Sequence, residues 1–429
     1  MYVSAVRGSD RAPGTRTRPL RTVTAAWARV PMSRTLERPY TIVLLSGRWT
    51  AAQTPNYWES RWGTSRAPVV LRADRRGSAT LPAVNMFDVR WLVVDGVRFS
   101  DRFDLFHCER CQHVLIERSR FDGSQQLLDT VKFNQSTWAF LRGDRISGAS
   151  MNPLQFVAVQ HGAVTGNELS HGGDWCAYVK GGSADLLIAN NRVHDCGTGG
   201  LLAGQGSGLQ FLVPPFDQYE AYGIVITGNW IWRTQGAGVG VNGAANVAIV
   251  NNRLWDTGAR SHTVELDYGL RTCDGQPHDP GRDLCQRYLD QGAWGTTRVD
   301  DGTNQVRIPN LNVTVAGNVI ANPRQQGDEL LDIPAQFSGQ AQNGSGLGPV
   351  RADRGLHIYH NLFAVGTGLP DGTDNCSAPD CAALRVRNTV TRPSNPFRAP
   401  AHGDLTLTRH WATATLPRFD WSGFPAGIG

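Results

Sequence analysis

Lysine is almost absent from this 429-residue chain: only Lys132 and Lys180 occur among 42 basic residues, and the rest are arginine. Blocks of consecutive Lys and Arg, the usual mark of a nucleic-acid surface, are also missing although the net charge is +5, so no nucleic-acid partner is expected. No apolar run is long enough for a membrane-spanning helix, and no membrane partner is expected. Hairpin dipeptides such as Asn-Gly between alternating strands are scarce, which argues against a propeller or a sandwich. No signal peptide precedes Tyr2, so the sequence is expected to begin at a trimmed mature end.

Glycine (48) and proline (23) are plentiful, with 40% hydrophobic and 18% charged residues, a balance that suits a turn-rich all-β protein. The segments WLVVDGVRF, VLIERSRF, AFLRGDRIS, GAVTGNELS, LLIANNRVH, IVITGNWIW, VAIVNNRLW, VTVAGNVIA and LHIYHNLFA share one pattern, a β-branched run followed by a small or amide residue and an apolar one. The turn position falls at Gly96, Ser119, Asp144, Asn167, Asn191, Asn229, Asn252, Asn318 and Asn361, with steps of about 23 to 25 residues wherever no loop intervenes. One repeat is one coil of a solenoid, with coils about 4.8 Å apart. Asparagine suits the bend because it tolerates left-handed backbone and its amide can bond the next coil in a ladder.

The eight cysteines fall in local pairs, Cys108 with Cys111, Cys176 with Cys196, Cys273 with Cys285 and Cys376 with Cys381, which reads as disulfides in a secreted protein. The fold class is therefore an all-β, right-handed parallel β-helix. Residues 1–40 are expected to form an N-terminal strand and a capping helix, with Leu20, Val23, Trp27 and Val30 as its apolar face. Coils are expected over 41–390, with loop insertions near 206–220 and 255–309, and a tail over 391–429 packed on the outside.

The opening YVSAVRGSDRAPGTRTRPLRTVTAAWARV, the following YTIVLLSGRWT and the later NNRVHD and GNxI-type turns resemble secreted bacterial β-helix proteins of the pectate-lyase-like superfamily. The resemblance implies a carbohydrate-active protein; it does not choose among lyases, epimerases, hydrolases and adhesins. In lyases of this kind a strand-borne lysine or arginine is the base, and calcium often bridges the substrate carboxylate.

Lys132, Lys180, Gln205 and Asn242 each sit at a strand end before a turn, and the last three precede glycine. Such a polar column with small neighbours suits a groove for an extended polymer. Lys180 is the expected base of a β-elimination, assisted by Lys132. Asp129, Asp174, Asp195, Glu220, Glu265 and Asp267 are the acidic candidates. Asp174 and Glu220 are expected in catalysis, Asp174 with Asp195 would hold calcium, and no organic cofactor is expected. His171 and His194 lie in corresponding turns, and Trp175, Tyr178 and Tyr222 offer ring faces to sugars. His262 and Glu265 form a further, weaker pair.

Three motifs are set aside. Gly238, Gly240 and Gly243 match GxGxxG without a following helix; His107, Cys108, Cys111 and His113 have metal-like spacing on a strand that would split them between two faces; Ser207 has no nucleophile elbow. The sequence thus points to a secreted, monomeric polysaccharide lyase acting on an acidic, uronate-containing polysaccharide. The alternatives are a glycoside hydrolase using paired carboxylates and a non-catalytic glycan-binding β-helix.

Overall fold

The computed structural model describes residues 1–126, 128–259, 262–272, 280–290, 305–323, 331–332, 353–365 and 395–409. Within each unit, every coil contributes up to three short strands, and equivalent strands of successive coils pair in parallel, the arrangement of a parallel β-helix. The chain divides into two compact units, Met1–Gly173 and Asp174–Gly429.

In the N-terminal unit, first strands such as Arg90–Asp95, Gln112–Glu117, Thr137–Arg142 and Gln160–Thr165 stack in order. The second strands include Arg98–Phe99, Arg120–Asp122 and Arg145–Ala149, and the third strands are Trp58–Glu59, Val84–Phe87, Phe106–Glu109, Asp129–Asn134 and Asn152–Val157. Alternation sends every second side chain inward. Phe99 and Phe121 therefore stack at 4.7 Å inside the coils, and Phe133 meets Phe156 at 5.4 Å. The N-terminal helix is shorter than the spacing predicts, Val23–Trp27, because the Thr22 hydroxyl caps it by accepting from Ala25 N at 3.0 Å and Leu20 is bridged to Val3 in extended chain. Leu20, Val23, Trp27 and Val30 are all buried, and Trp27 packs on Trp58 at 4.8 Å.

In the C-terminal unit the third strands are Trp175–Lys180, Gly199–Gly204, Val239–Asn242, Val264–Asp267 and Leu331–Asp332. The insertions add a small sheet of Gly206–Gly208, Gly269–Thr272 and Gln305–Ile308, and a helix Pro280–Asp290. Residues 395–409 of the tail carry a hairpin that packs Phe397 and Leu405 against Trp232, while Arg192, Arg233 and Arg253 donate to the carbonyls of Gly403, Ala401 and Leu405.

The amide ladder runs as the turn residues suggest. Asn229 Oδ1 accepts from Asn191 N and Nδ2, Asn252 Oδ1 from Asn229, Asn318 Oδ1 from Asn252, and Asn361 Oδ1 from Asn318, all at 2.9–3.0 Å. The left-handed bend does not fall on the ladder residues themselves. The left-handed residue is the one before the ladder position: Arg118, Gly143, Gly166, Asn190, Gly228, Asn251, Gly317 and His360 have φ between 52° and 66°. Gly96, at φ 67°, belongs to that preceding column and not beside Ser119. Asn252→Ala removes four hydrogen bonds of a fully buried amide, and a loss of about 3 kcal/mol is expected in urea denaturation.

Two disulfides close within single units, Cys108–Cys111 and Cys176–Cys196, and Cys285 is buried and disulfide-bonded. Cys273, Cys376 and Cys381 lie outside the described residues. The first bridge consumes both sulfurs of the metal-like spacing, and His113 is stacked between Trp91 and Trp138 at 4.0 and 5.5 Å.

Candidate functional site

In each unit the third strands carry outward polar side chains. In the N-terminal unit Asn85, His107, Lys132 and Gln155 are register partners on four consecutive strands, with Glu109 and Asn134 in the next outward column. Their inward neighbours Phe106, Cys108, Val131 and Phe133 are fully buried, which fixes this face as the outer one. Lys132 Nζ pairs with Asp129 Oδ2 at 3.1 Å, and Asp129 N donates to Asp104 Oδ1. The His107 ring lies between two amides, its Nδ1 at 3.0 Å from Asn85 Oδ1 and its Nε2 at 3.2 Å from Asn134 Nδ2.

In the C-terminal unit, the outward positions of the corresponding strands are Tyr178, Leu202, Gly240 and Glu265 in one column, and Lys180, Gly204, Asn242 and Asp267 in the other. Lys180 Nζ lies 4.5 Å from the centroid of the Tyr178 ring and 3.3 Å from its hydroxyl. Asn242 Nδ2 donates to Glu265 Oε1 at 2.6 Å, and His262 Nε2 meets Glu265 Oε2 at 3.0 Å. Burial works to raise the Glu265 carboxyl, but the bonds from His262 and Asn242 outweigh it and hold the group below its ordinary value.

Gln205 is off this column; Gly204 occupies the position beside Asn242, and Gln205 instead accepts Leu270 N on its carbonyl. The flanking glycines also have a different reason from the one expected. A Cβ on Gly206 would stand 2.6 Å from Leu270 O, and one on Gly243 2.5 Å from Gly269 Cα, so these glycines admit the neighbouring strand Gly269–Thr272. Gly240 makes room for the Trp175 ring, which a Cβ there would approach to 2.8 Å.

Trp175 and Tyr178 are buried together with Leu202 and Ala237. Glu220 is fully buried, 2.9 Å from the equally buried Arg271. The Tyr222 hydroxyl accepts from Gln218 N and Tyr219 N, and burial pushes its ionisation well above the ordinary phenol range. His171 is exposed, with Nδ1 3.3 Å from Ser147 Oγ. His194 stacks on Trp232 at 4.3 Å and lies 2.6 Å from Asp195 Oδ2. Asp174 opens the C-terminal unit, and its carbonyl accepts from Thr198 N.

Asp195 does not fit a calcium ligand. Arg233 bonds both of its oxygens at 2.6 Å; burial alone would raise the carboxyl, but His194 and Arg233 hold it far below its usual range. Among the described residues no three carboxylate, histidine or cysteine side chains group as a metal site. Asn85, Asn134 and Gln155 escaped the sequence reading. Their signal is the alternation in VNMF, DTVKFN and NPLQFV, whose inward residues are apolar.

Among solved structures, the chain is similar to the A-module of a mannuronan C-5 epimerase from Azotobacter vinelandii, with 12% identity, 80% of this chain and 89% of that one covered, and a TM-score of 0.46. It is also similar to a PL6 family polysaccharide lyase from Pseudopedobacter saltans (11% identity, 90% and 95% covered, TM-score 0.39) and to a pectate lyase (12%, 95% and 87%, TM-score 0.40). No curated protein matches the chain in sequence. Residues 104–272 match the family model described as the right handed beta helix region, and that stretch of coils is a right-handed parallel β-helix.

Proposed function

We propose that this chain is a secreted polysaccharide lyase that cleaves an anionic, uronate-containing polysaccharide by β-elimination. The observation that carries this reading is the placement of its two lysines. Each stands at an outward position of a third strand, and each neighbours a second side chain able to exchange a proton: His107 beside Lys132, and Tyr178 beside Lys180. In each unit by itself, an outward ammonium suits a polymer that carries carboxylates. Elimination removes the proton beside that carboxylate, and an ammonium held against it stabilises the charge that develops. Two disulfides closed within the described residues support an oxidising compartment.

The test follows ultraviolet absorbance and reducing ends together against acidic and neutral polysaccharides. A uronate polymer is expected to give both signals; new ends without absorbance would mean hydrolysis, and neither signal would mean binding alone. Lys180→Ala then separates two roles. The ammonium already rests on the Tyr178 ring, so the expected result is a rise in KM of about tenfold with kcat little changed, the pattern of carboxylate binding. A collapse of kcat would instead identify Lys180 as the base.

A further inference from the structure

His107 comes from the strand Phe106–Glu109 and stands in register with Asn85 on one side and Lys132 on the other. Its two ring nitrogens have different partners. An amide oxygen only accepts and an amide nitrogen only donates, so the contact with Asn85 Oδ1 puts the proton on Nδ1, and the contact with Asn134 Nδ2 leaves the lone pair on Nε2. Burial first, and the Lys132 charge second, hold the imidazole below its ordinary value of 6.5, while Glu109 and Asp104 act in the opposite direction. The ring is therefore neutral at pH 7, its tautomer is fixed, and it adjoins a cation.

Lys132 and Lys180 each already face an electron-rich partner, the Asp129 carboxylate and the Tyr178 ring. This suits them to hold a carboxylate, and leaves the proton to another group. We infer that His107 is the general base of the elimination, working beside Lys132, which holds the carboxylate of the reacting uronate. The inference rests on the uronate-lyase reading and names the reacting residue within it.

In the step, the Asn134 amide swings off the Nε2 lone pair that it holds at rest, and His107 Nε2 takes the proton from the carbon that bears the carboxylate. The C–H electron pair becomes the new carbon–carbon double bond, and the neighbouring C–O bond to the leaving sugar breaks. The leaving oxygen keeps that bond's electron pair and takes a proton from water, and the imidazolium returns its own proton to solvent. Asn134 Oδ1 is buried and has no hydrogen-bond partner among the described residues. Turning that amide over offers this oxygen to the new Nε2–H.

The experiment measures unsaturated product from a uronate polymer with His107→Ala, with and without added imidazole. A loss of about 10²- to 10⁴-fold in kcat is expected, with partial recovery that rises with imidazole concentration. In the wild type, the acidic limb of kcat/KM should lie below the ordinary imidazole value. Asn85→Ala, at an exposed position, frees the tautomer and is expected to lower kcat about tenfold at unchanged KM.

Wild-type rates in His107→Ala would overturn the inference. So would a loss that imidazole does not rescue in a variant that melts at the wild-type temperature. Should His107→Ala not fold, an unchanged kcat in Asn85→Ala overturns it. A wild-type protein that forms no unsaturated product from any uronate polymer removes the lyase reading itself, and the inference with it.

Discussion

Arg271→Ala is expected to cost about 3 to 5 kcal/mol of stability, measured by urea denaturation. Arg271 and Glu220 are both fully buried and 2.9 Å apart, Glu220 Oε2 also accepts from Gly181 N, and Arg271 Nη2 reaches Gln218 O. Removing one partner strands the other charge without water, which costs far more than the pair contributes over an apolar replacement. Glu220→Leu combined with Arg271→Met should therefore be less destabilised than either single variant. The same physics reassigns Glu220, which the sequence nominates for catalysis. Its alanine variant is expected to lose activity in step with its folded fraction, read by circular dichroism at several temperatures. Activity lost while the fold persists would return the residue to the reaction.

Asp144→Asn should gain stability relative to the wild type as pH rises, although its Nδ2 gives up the bond that Oδ2 accepts from Arg142 N. Asp144 occupies a ladder position where most coils carry asparagine: its Oδ1 accepts from Ser119 N, its Oδ2 from Arg142 N, and its own N–H donates to Asn167 Oδ1. Burial pushes its carboxyl from 3.8 up to about 7, against the pull of the two backbone donors. An acid raised in the folded state binds its proton more tightly there than in the unfolded chain. Its contribution is therefore intact below about pH 4 and is lost as pH rises towards 7. The asparagine variant has no such loss. Its stability relative to the wild type should be lowest near pH 4, where the lost Arg142 bond is not offset, rise by about 3 kcal/mol towards pH 7 and then level off. Melting temperatures of the two proteins at pH 4, 5.5 and 7.5 test the slope; parallel curves would place the carboxylate in a better-solvated setting than its burial implies.

The coil was legible because its signal is periodic: a run of Val, Ile and Leu, then an amide, repeats through LLIANNRVH, IVITGNWIW and VAIVNNRLW. The ladder positions followed from that alignment. The left-handed column did not, because an Asn-Asn pair such as Asn190 and Asn191 offers two residues equally able to turn, and only the backbone separates the bender from the bonder. The site was legible in part. Lysine scarcity drew attention to Lys132 and Lys180, and both point outward. His107 was hidden by its neighbours: Cys108 and Cys111 pair as their local spacing suggests, but beside them the histidine reads only as part of a metal-like spacing and not as a base. The partners Asn85 and Asn134 lie on other strands, so their convergence on the imidazole depends on register between coils. Gly206 and Gly243 misled for a related reason: glycine announces a close approach without saying whether a ligand or another strand makes it.

Successive amides of the C-terminal unit's ladder are separated by 38, 23, 66 and 43 residues, yet each bonds the next at nearly the same length. The fold thus registers returns to the axis and is indifferent to how far the chain wanders between them. Because loop closure grows more costly only logarithmically with length, a whole foreign domain could be spliced into one of these excursions, between Asn252 and Asn318 for example. The rungs on either side would keep their register, which would make the chain a rigid carrier for inserted sequence.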